Sequence, residues 1–362
     1  MRQRRHDIDN LRTFCILLLV PYHAAMAFNC WGEANYVWFG ESRALSAFVT
    51  VVSPWYMAAL FLAAGLSARF SLQKRGMTGY VKERIKKLLI PLIAGIVSSG
   101  YEGNAGNAWG YPFGYTGNFF SHYQIFITRI TDLTGYDGGF TPGHLWFLLY
   151  LFLISMLALG VSKLQEKFLK QVHWNTPSVW KVWLFGLLPV IGKPVLDIGG
   201  KSIGAYLAFF LIGYYVFYRE DVTGFLKKYF PLHLVIFLIA DLFNVYLFCY
   251  CKDLHAVMNT VCMFVAQWFG ILTAVGFFAK FLDFSNERTA FLCKNSFAVY
   301  ILHFVFLVAA QFYFSRYTSS TILLFLVPCV VAYLVTFLCC ALFSRMKKWV
   351  SGGAGKRDGV KK

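Results

Sequence analysis

The amino-acid sequence predicts an all-α bundle of about ten transmembrane helices with both termini in the cytoplasm. Three observations carry that expectation. First, 58% of the 362 residues are hydrophobic and only 14% are charged, where a soluble domain carries about a quarter. So few charges cannot cover a globule of this size. That excludes an ordinary soluble enzyme, a disordered chain and a nucleic-acid partner, and makes the lipid bilayer the expected surroundings. Second, the apolar residues gather into ten stretches of helical length. A bilayer core about 30 Å thick needs about 20 such residues per helix. Third, the basic excess that gives net charge +17 is unevenly placed along the chain.

The stretches are 11–28, 45–67, 88–100, 144–162, 180–197, 203–218, 232–250, 256–280, 291–314 and 321–344. No A-x-A-like site follows the first, so an uncleaved first helix is expected. The third is short and holds Pro91; the fifth holds Pro189 and Pro194, which predict a kink or break. With ten helices, 28 of the 34 Lys and Arg fall in loops on the side of the N-terminus, against nine acidic residues. The opposite side holds six basic and seven acidic residues, and Asp241 lies inside the seventh helix. The positive-inside rule makes the basic side cytoplasmic. Losing one helix would swap the later loops and shrink this asymmetry, so the even count is favoured.

Residues 1–345 read as one transmembrane domain, with 346–362 (SGGAGKRDG within it) as a flexible basic tail. A non-cytoplasmic loop, 101–143, is rich in Gly, Asn, Tyr and Phe. Rings beside amides suit sugar faces, and equally suit an aromatic belt at headgroup level. No internal repeat is visible, which disfavours the repeat-built transporters. The nine cysteines show no metal spacing and no disulfide framework.

Ionisable residues inside spans are function candidates by default. Arg12 and His23 are eleven residues apart in the first helix. On an α-helix that is a net rotation of about 20° and a rise of about 16 Å. Both therefore share one face, Arg12 near the cytoplasmic surface and His23 deep. Asp9, three residues before Arg12, can pair with it. Taken singly, Arg12 also suits a snorkelling anchor and His23 an interhelical hydrogen bond. Ser296, Tyr300 and His303 form one face of the ninth helix. Asp241 and Asn244 lie near mid-depth in the seventh, and Glu102 just past the third.

Asp9-Asn-Leu-Arg12 followed by His23 resembles the acyltransferase-3 family of membrane proteins, whose best-known motif is Arg-x10-His. Residues 82–91, KERIKKLLIP, look like the family's basic run before its third helix. Here the basic places are Arg84 and Lys87. The family commonly has arginine at the second, and lysine keeps the charge but loses the guanidinium fork. Residues 143–150, GHLWFLLY, are similar to the family's His-Leu-Trp-Phe stretch, and look most like the glucan biosynthesis protein C branch, which puts succinyl groups on periplasmic glucans.

The resemblance implies an O-acyltransferase of the bacterial inner membrane. It would move acetyl or succinyl from cytoplasmic acyl-coenzyme A, as donor substrate, to a hydroxyl of an extracytoplasmic carbohydrate. No resident cofactor or metal is expected. Arg12, Arg84 and Lys87 would hold the donor's phosphates. His23, with Arg12, would do the chemistry, as general base or as acyl carrier. His144, Trp146, Tyr300, His303, Asp241 and Glu102 would shape the acceptor side. An exporter of a sugar or lipid-linked precursor is the alternative from a different class. A scaffold without chemistry explains neither the Arg12–His23 pair nor the basic mouth.

Overall fold

The first helix, α1 (His6–Met26), begins five residues before the apolar stretch and so takes Arg12 into its body. Asp7 and Asp9 sit in its first turn, where carboxylates complement the helix dipole. The computed structural model describes residues 4–32, 37–103, 142–168, 178–251 and 256–354, without the side chains of 97–103, 166–168 and 347–354. Most of the 101–143 loop, the Glu102 side chain and residues 355–362 therefore lie outside the described residues.

Pro21 lies inside α1 and cannot donate to the carbonyl of Leu17. The Tyr333 hydroxyl donates to that carbonyl at 2.5 Å instead. Two turns further on, Gln311 Nε2 donates to the carbonyl of Ala24 at 3.1 Å. Both satisfied carbonyls flank His23, so this part of α1 is held by polar bonds as well as packing.

After α2 (Arg43–Val52) a tight turn leads into α3 (Tyr56–Arg84). Inside α3, Gly76 has φ 66° and ψ −179°. A straight helix would carry Ser71 and Glu83 about 18 Å apart. Their side chains instead hydrogen-bond at 2.8 Å, and Arg75 also pairs with Glu83. The chain therefore folds back at Gly76, within the stretch from Arg69 to Lys87 that holds seven basic residues. This backbone conformation is one that only glycine adopts without strain. Gly76→Ala is expected to cost about 1–3 kcal/mol, read as a lower melting temperature of the purified protein.

A π-helical turn, Ile85–Leu89, continues the returning arm into α4 (Ile90–Gly103). Then come a 3-10 turn, Gly143–Leu145, and α5 (Trp146–Phe168). The fifth apolar stretch forms two short helices, α6 (Val179–Leu184) and α7 (Leu187–Gly192). The break sits at Phe185 and Gly186, ahead of both prolines. Pro189 occupies the first turn of α7, where a missing N–H costs nothing. Gly186 lies against Trp268, whose ring a Cβ there would meet at 2.6 Å.

A two-residue hairpin, β1 (Asp197–Ile198) with β2 (Lys201–Ser202), turns through Gly199 and Gly200, both at positive φ. Ser202 caps α8 (Ile203–Ile212), which ends in a π-helical turn, Gly213–Phe217. The remaining helices are α9 (Glu220–Cys249), α10 (Ala256–Phe281), α11 (Glu287–Phe314) and α12 (Thr321–Ala354). An Asn286–Thr289 capping box starts α11. Asn10 Nδ2 donates to the carbonyls of Leu282 and Phe284, which ties α1 to the α10–α11 connection.

The result is an all-α membrane bundle. Each predicted apolar stretch falls on helical segments. By length and apolarity alone, six described runs qualify as spans: Arg43–Ile96, Gly143–Gln165, Glu220–Cys249, Ala256–Phe281, Glu287–Phe314 and Thr321–Met346. The first of these is the run that folds back at Gly76.

Candidate active site

The Arg12–His23 face of α1 lies against α3, and a cavity opens at each end of it. At the N-terminal end, Arg4, Arg5, Ile8, Asp9 and Arg12 line about 390 Å³ together with Leu66, Ser67 and Phe70. Arg4 pairs with Asp9 at 2.7 Å and Arg5 with the buried Asp7 at 2.6 Å. Arg12 is 45% exposed, and its nearest carboxylate oxygen, on Asp9, is 3.9 Å away. Among these arginines it is the one with reach to spare.

At the other end a chamber of about 140 Å³ is lined by His23, His144 and His303, by Tyr22, Tyr56, Tyr206 and Tyr300, and by Trp146, Lys201 and Ser53. The ring of His303 is 5.6 Å from that of His23 and 5.5 Å from that of His144. Phe304 packs against both His23 and His144, at 4.9 and 5.0 Å. The Tyr300 hydroxyl donates to the carbonyl of His144 at 2.7 Å, which joins α11 to the start of α5. His144 Nε2 meets the carbonyl of Ile301 at 3.0 Å. A carbonyl only accepts, so in the neutral ring Nε2 carries the proton.

Lys201 is 8% exposed, and its ammonium sits 5.1 Å from the Trp146 ring centroid. Its carbonyl accepts from the Tyr150 hydroxyl at 3.2 Å. The Gly199–Gly200 turn thus brings a cation into the histidine chamber. Tyr22, Ser53 and Tyr206 also line a larger vestibule of about 490 Å³. That vestibule combines ring faces (Trp31, Phe248) with amides (Asn244, Asn259, Gln267).

Of the residues singled out in the sequence, His23, His144, Trp146, Tyr300 and His303 meet in one chamber. Arg12 stands at the opposite cavity. Arg84 and Lys87 do not line it. The Arg84 guanidinium lies 4.6 Å from the Tyr80 ring centroid, near enough to Arg12 for their like charges to repel. Lys87 is exposed and pairs with Glu83 at 2.7 Å. Asp241 lines none of the three cavities. Asn244, one turn later on α9, does line the vestibule, and Asp241 Oδ1 is buried without a partner among the described residues. Arg4, Arg5, Lys201 and Tyr206 were not marked by their local sequence. Lys201 had one signal, as one of only six basic residues on the poorly charged side of the chain.

A family model described as an acyltransferase domain, of the acyltransferase-3 type, matches residues 5–345. The chain belongs to the acyltransferase-3 family. Among curated proteins and among solved structures nothing matches it. As an acyltransferase-3 protein it is a multi-pass membrane acyltransferase, and both cavities lie within the matched region.

Proposed function

We propose that this protein transfers an acyl group, acetyl or succinyl, from cytoplasmic acyl-coenzyme A to a hydroxyl of an extracytoplasmic carbohydrate at the bacterial inner membrane. The observation that carries this reading is the pair of chemically different cavities at the two ends of the Arg12–His23 face. The fold-back at Gly76 supports ten passes with both termini inside. The arginine cavity then opens to the cytoplasm and the vestibule to the outside.

Arg4, Arg5 and Arg12 suit the phosphates of the donor, because guanidinium forks match phosphate oxygens. Arg84, whose charge is felt at Arg12, adds to the positive charge beside this cavity. The thioester arm then runs along α1 toward His23, about 16 Å away. Vestibule rings and amides suit a sugar's faces and hydroxyls, and GHLWFLLY resembles the glucan branch. In the chamber the acceptor hydroxyl attacks the thioester carbonyl carbon, and His23 takes the hydroxyl proton as general base. The carbon–oxygen bond forms, the carbon–sulfur bond breaks, and the proton passes from His23 to the thiolate. The Lys201 ammonium is placed to offset negative charge on the carbonyl oxygen in between.

Mass spectrometry of envelope glycans from cells with and without this protein tests the reading. One acyl type gained only in its presence is the expected result. Solute movement with no acyl-coenzyme A consumed would overturn it in favour of an exporter. Arg12→Gln is expected to raise KM for acyl-coenzyme A about tenfold, the loss of one charge-assisted bond of about 1.5 kcal/mol. The same change should shrink the thermal shift that the donor produces.

A further inference from the structure

We propose that His303 is the positioning residue of this reaction: its Nε2 accepts the Nδ1–H of His23, directly or through one bridging water, and so turns the lone pair of His23 Nε2 into the chamber. This rests on the reading of His23 as the reacting histidine and decides between the two roles open to it. Three hydrogen-bonding facts combine.

His303 Nδ1 faces two carbonyls, of Val299 at 2.8 Å and of Tyr300 at 3.0 Å. Both only accept, so Nδ1 carries the proton of the neutral ring and Nε2 carries the lone pair. That Nε2 is buried without a partner among the described residues, on a side chain that is 0% exposed. A buried acceptor left unmade is costly, so a donor is called for.

Two imidazoles border it. His144 has committed its proton to Ile301 from Nε2, and its Nδ1 has none to give. His23 has no backbone partner on either nitrogen, and its Nδ1 is likewise buried without one among the described residues. Its ring centroid is 5.6 Å from that of His303, a gap that a small ring rotation or one water closes. The two orphaned nitrogens therefore satisfy each other. His23 becomes the Nδ1–H tautomer, and Nε2 is left as a base toward the chamber that His23 lines. His303 does for His23 what a carboxylate does for other catalytic histidines, as a neutral acceptor held by its own helix. Proton balance is unchanged, since the proton taken by His23 Nε2 leaves on the thiol. The other titratable groups facing His23 in the chamber are His144, Lys201, Tyr22, Tyr56, Tyr206 and Tyr300.

Two measurements test this. Nitrogen-15 NMR of histidine-labelled full-length protein, with His23 assigned by subtraction of the His23→Ala spectrum, should show His23 protonated at Nδ1 and bare at Nε2. The Nε2–H tautomer would overturn the proposal, whatever the acceptor proves to be. In acyl-transfer assays His303→Leu should lower kcat on the order of 100-fold with both KM values unchanged. His303→Gln, whose amide oxygen can stand near the Nε2 position, should recover most of that loss. Equal losses in the two variants, or no loss in either, would overturn it. Absence of transfer by the parent protein would instead sink the proposed function, and the NMR result would still stand.

Discussion

His23→Ala is expected to lower acyl transfer by about 10²- to 10⁴-fold while the protein still accumulates and melts near the parent temperature. The two halves of this expectation have separate reasons. Chemically, His23 is the chamber histidine on the Arg12 face of α1, and among the described residues neither of its nitrogens meets a backbone carbonyl, whereas His144 and His303 each spend one nitrogen on a carbonyl of α11. Structurally, it gives up little. Its ring is half-buried at the chamber wall and makes edge and tilted contacts to Tyr22, His303 and Phe304. Alanine enlarges a space that is already open, so no closed cavity is created. Added imidazole should then restore part of the activity. Acid-quenched protein mixed with labelled donor and no acceptor should carry no acyl group on His23; a stable acyl-histidine would reassign it as carrier. Unchanged transfer by His23→Ala would remove it from the chemistry altogether.

Gly65→Ala is expected to destabilise the protein by about 3 kcal/mol and to lower activity with it. Here α3 and α8 approach so closely that each places a glycine against the other's backbone. A Cβ on Gly65 would stand 1.9 Å from the carbonyl oxygen of Phe210, and one on Gly213 would stand 2.0 Å from that of Leu62. Neither obstacle is a side chain that can rotate aside, so the helices must separate. In a membrane, where lipid is as apolar as leucine, close packing of small residues is a main source of helix association. Separation would also carry Tyr206 away from Phe61, on which it stacks at 4.4 Å, and from the chamber it lines. Gly160 and Gly224 serve as controls. Both have open space around the Cβ position, and alanine there should leave the melting temperature unchanged or slightly raised. A Gly65→Ala protein that melts like the parent would mean the two helices do not cross this closely.

Much of the bundle can be read along the chain because lipid imposes a one-dimensional rule: a span must be apolar for its whole length. The stretches, the basic run at 69–87 and the shared face of Arg12 and His23 all follow from spacing within one segment. In the structure a cavity opens at each end of that face. Proline, a strong local signal, marks the end of α7 just before Pro194, but nothing of the kind marks the earlier break at Phe185 and Gly186. Gly186 marks it because of contact with Trp268, more than 80 residues away in sequence.

The chamber itself belongs to the fold. Helical periodicity tells which residues share a side of one helix and says nothing of which sides meet. Lys201 enters through a hairpin too short to carry any periodic signal. The tautomers of His144 and His303 depend on carbonyls of α11, one of them 157 residues from its partner. Arg84 and Lys87 share a charged run with the fold-back, yet one turns to Tyr80 and the other to Glu83. Hydrophobic length is a property of a segment and survives in sequence. Convergence of polar groups is a property of several segments at once, and only packing brings it about.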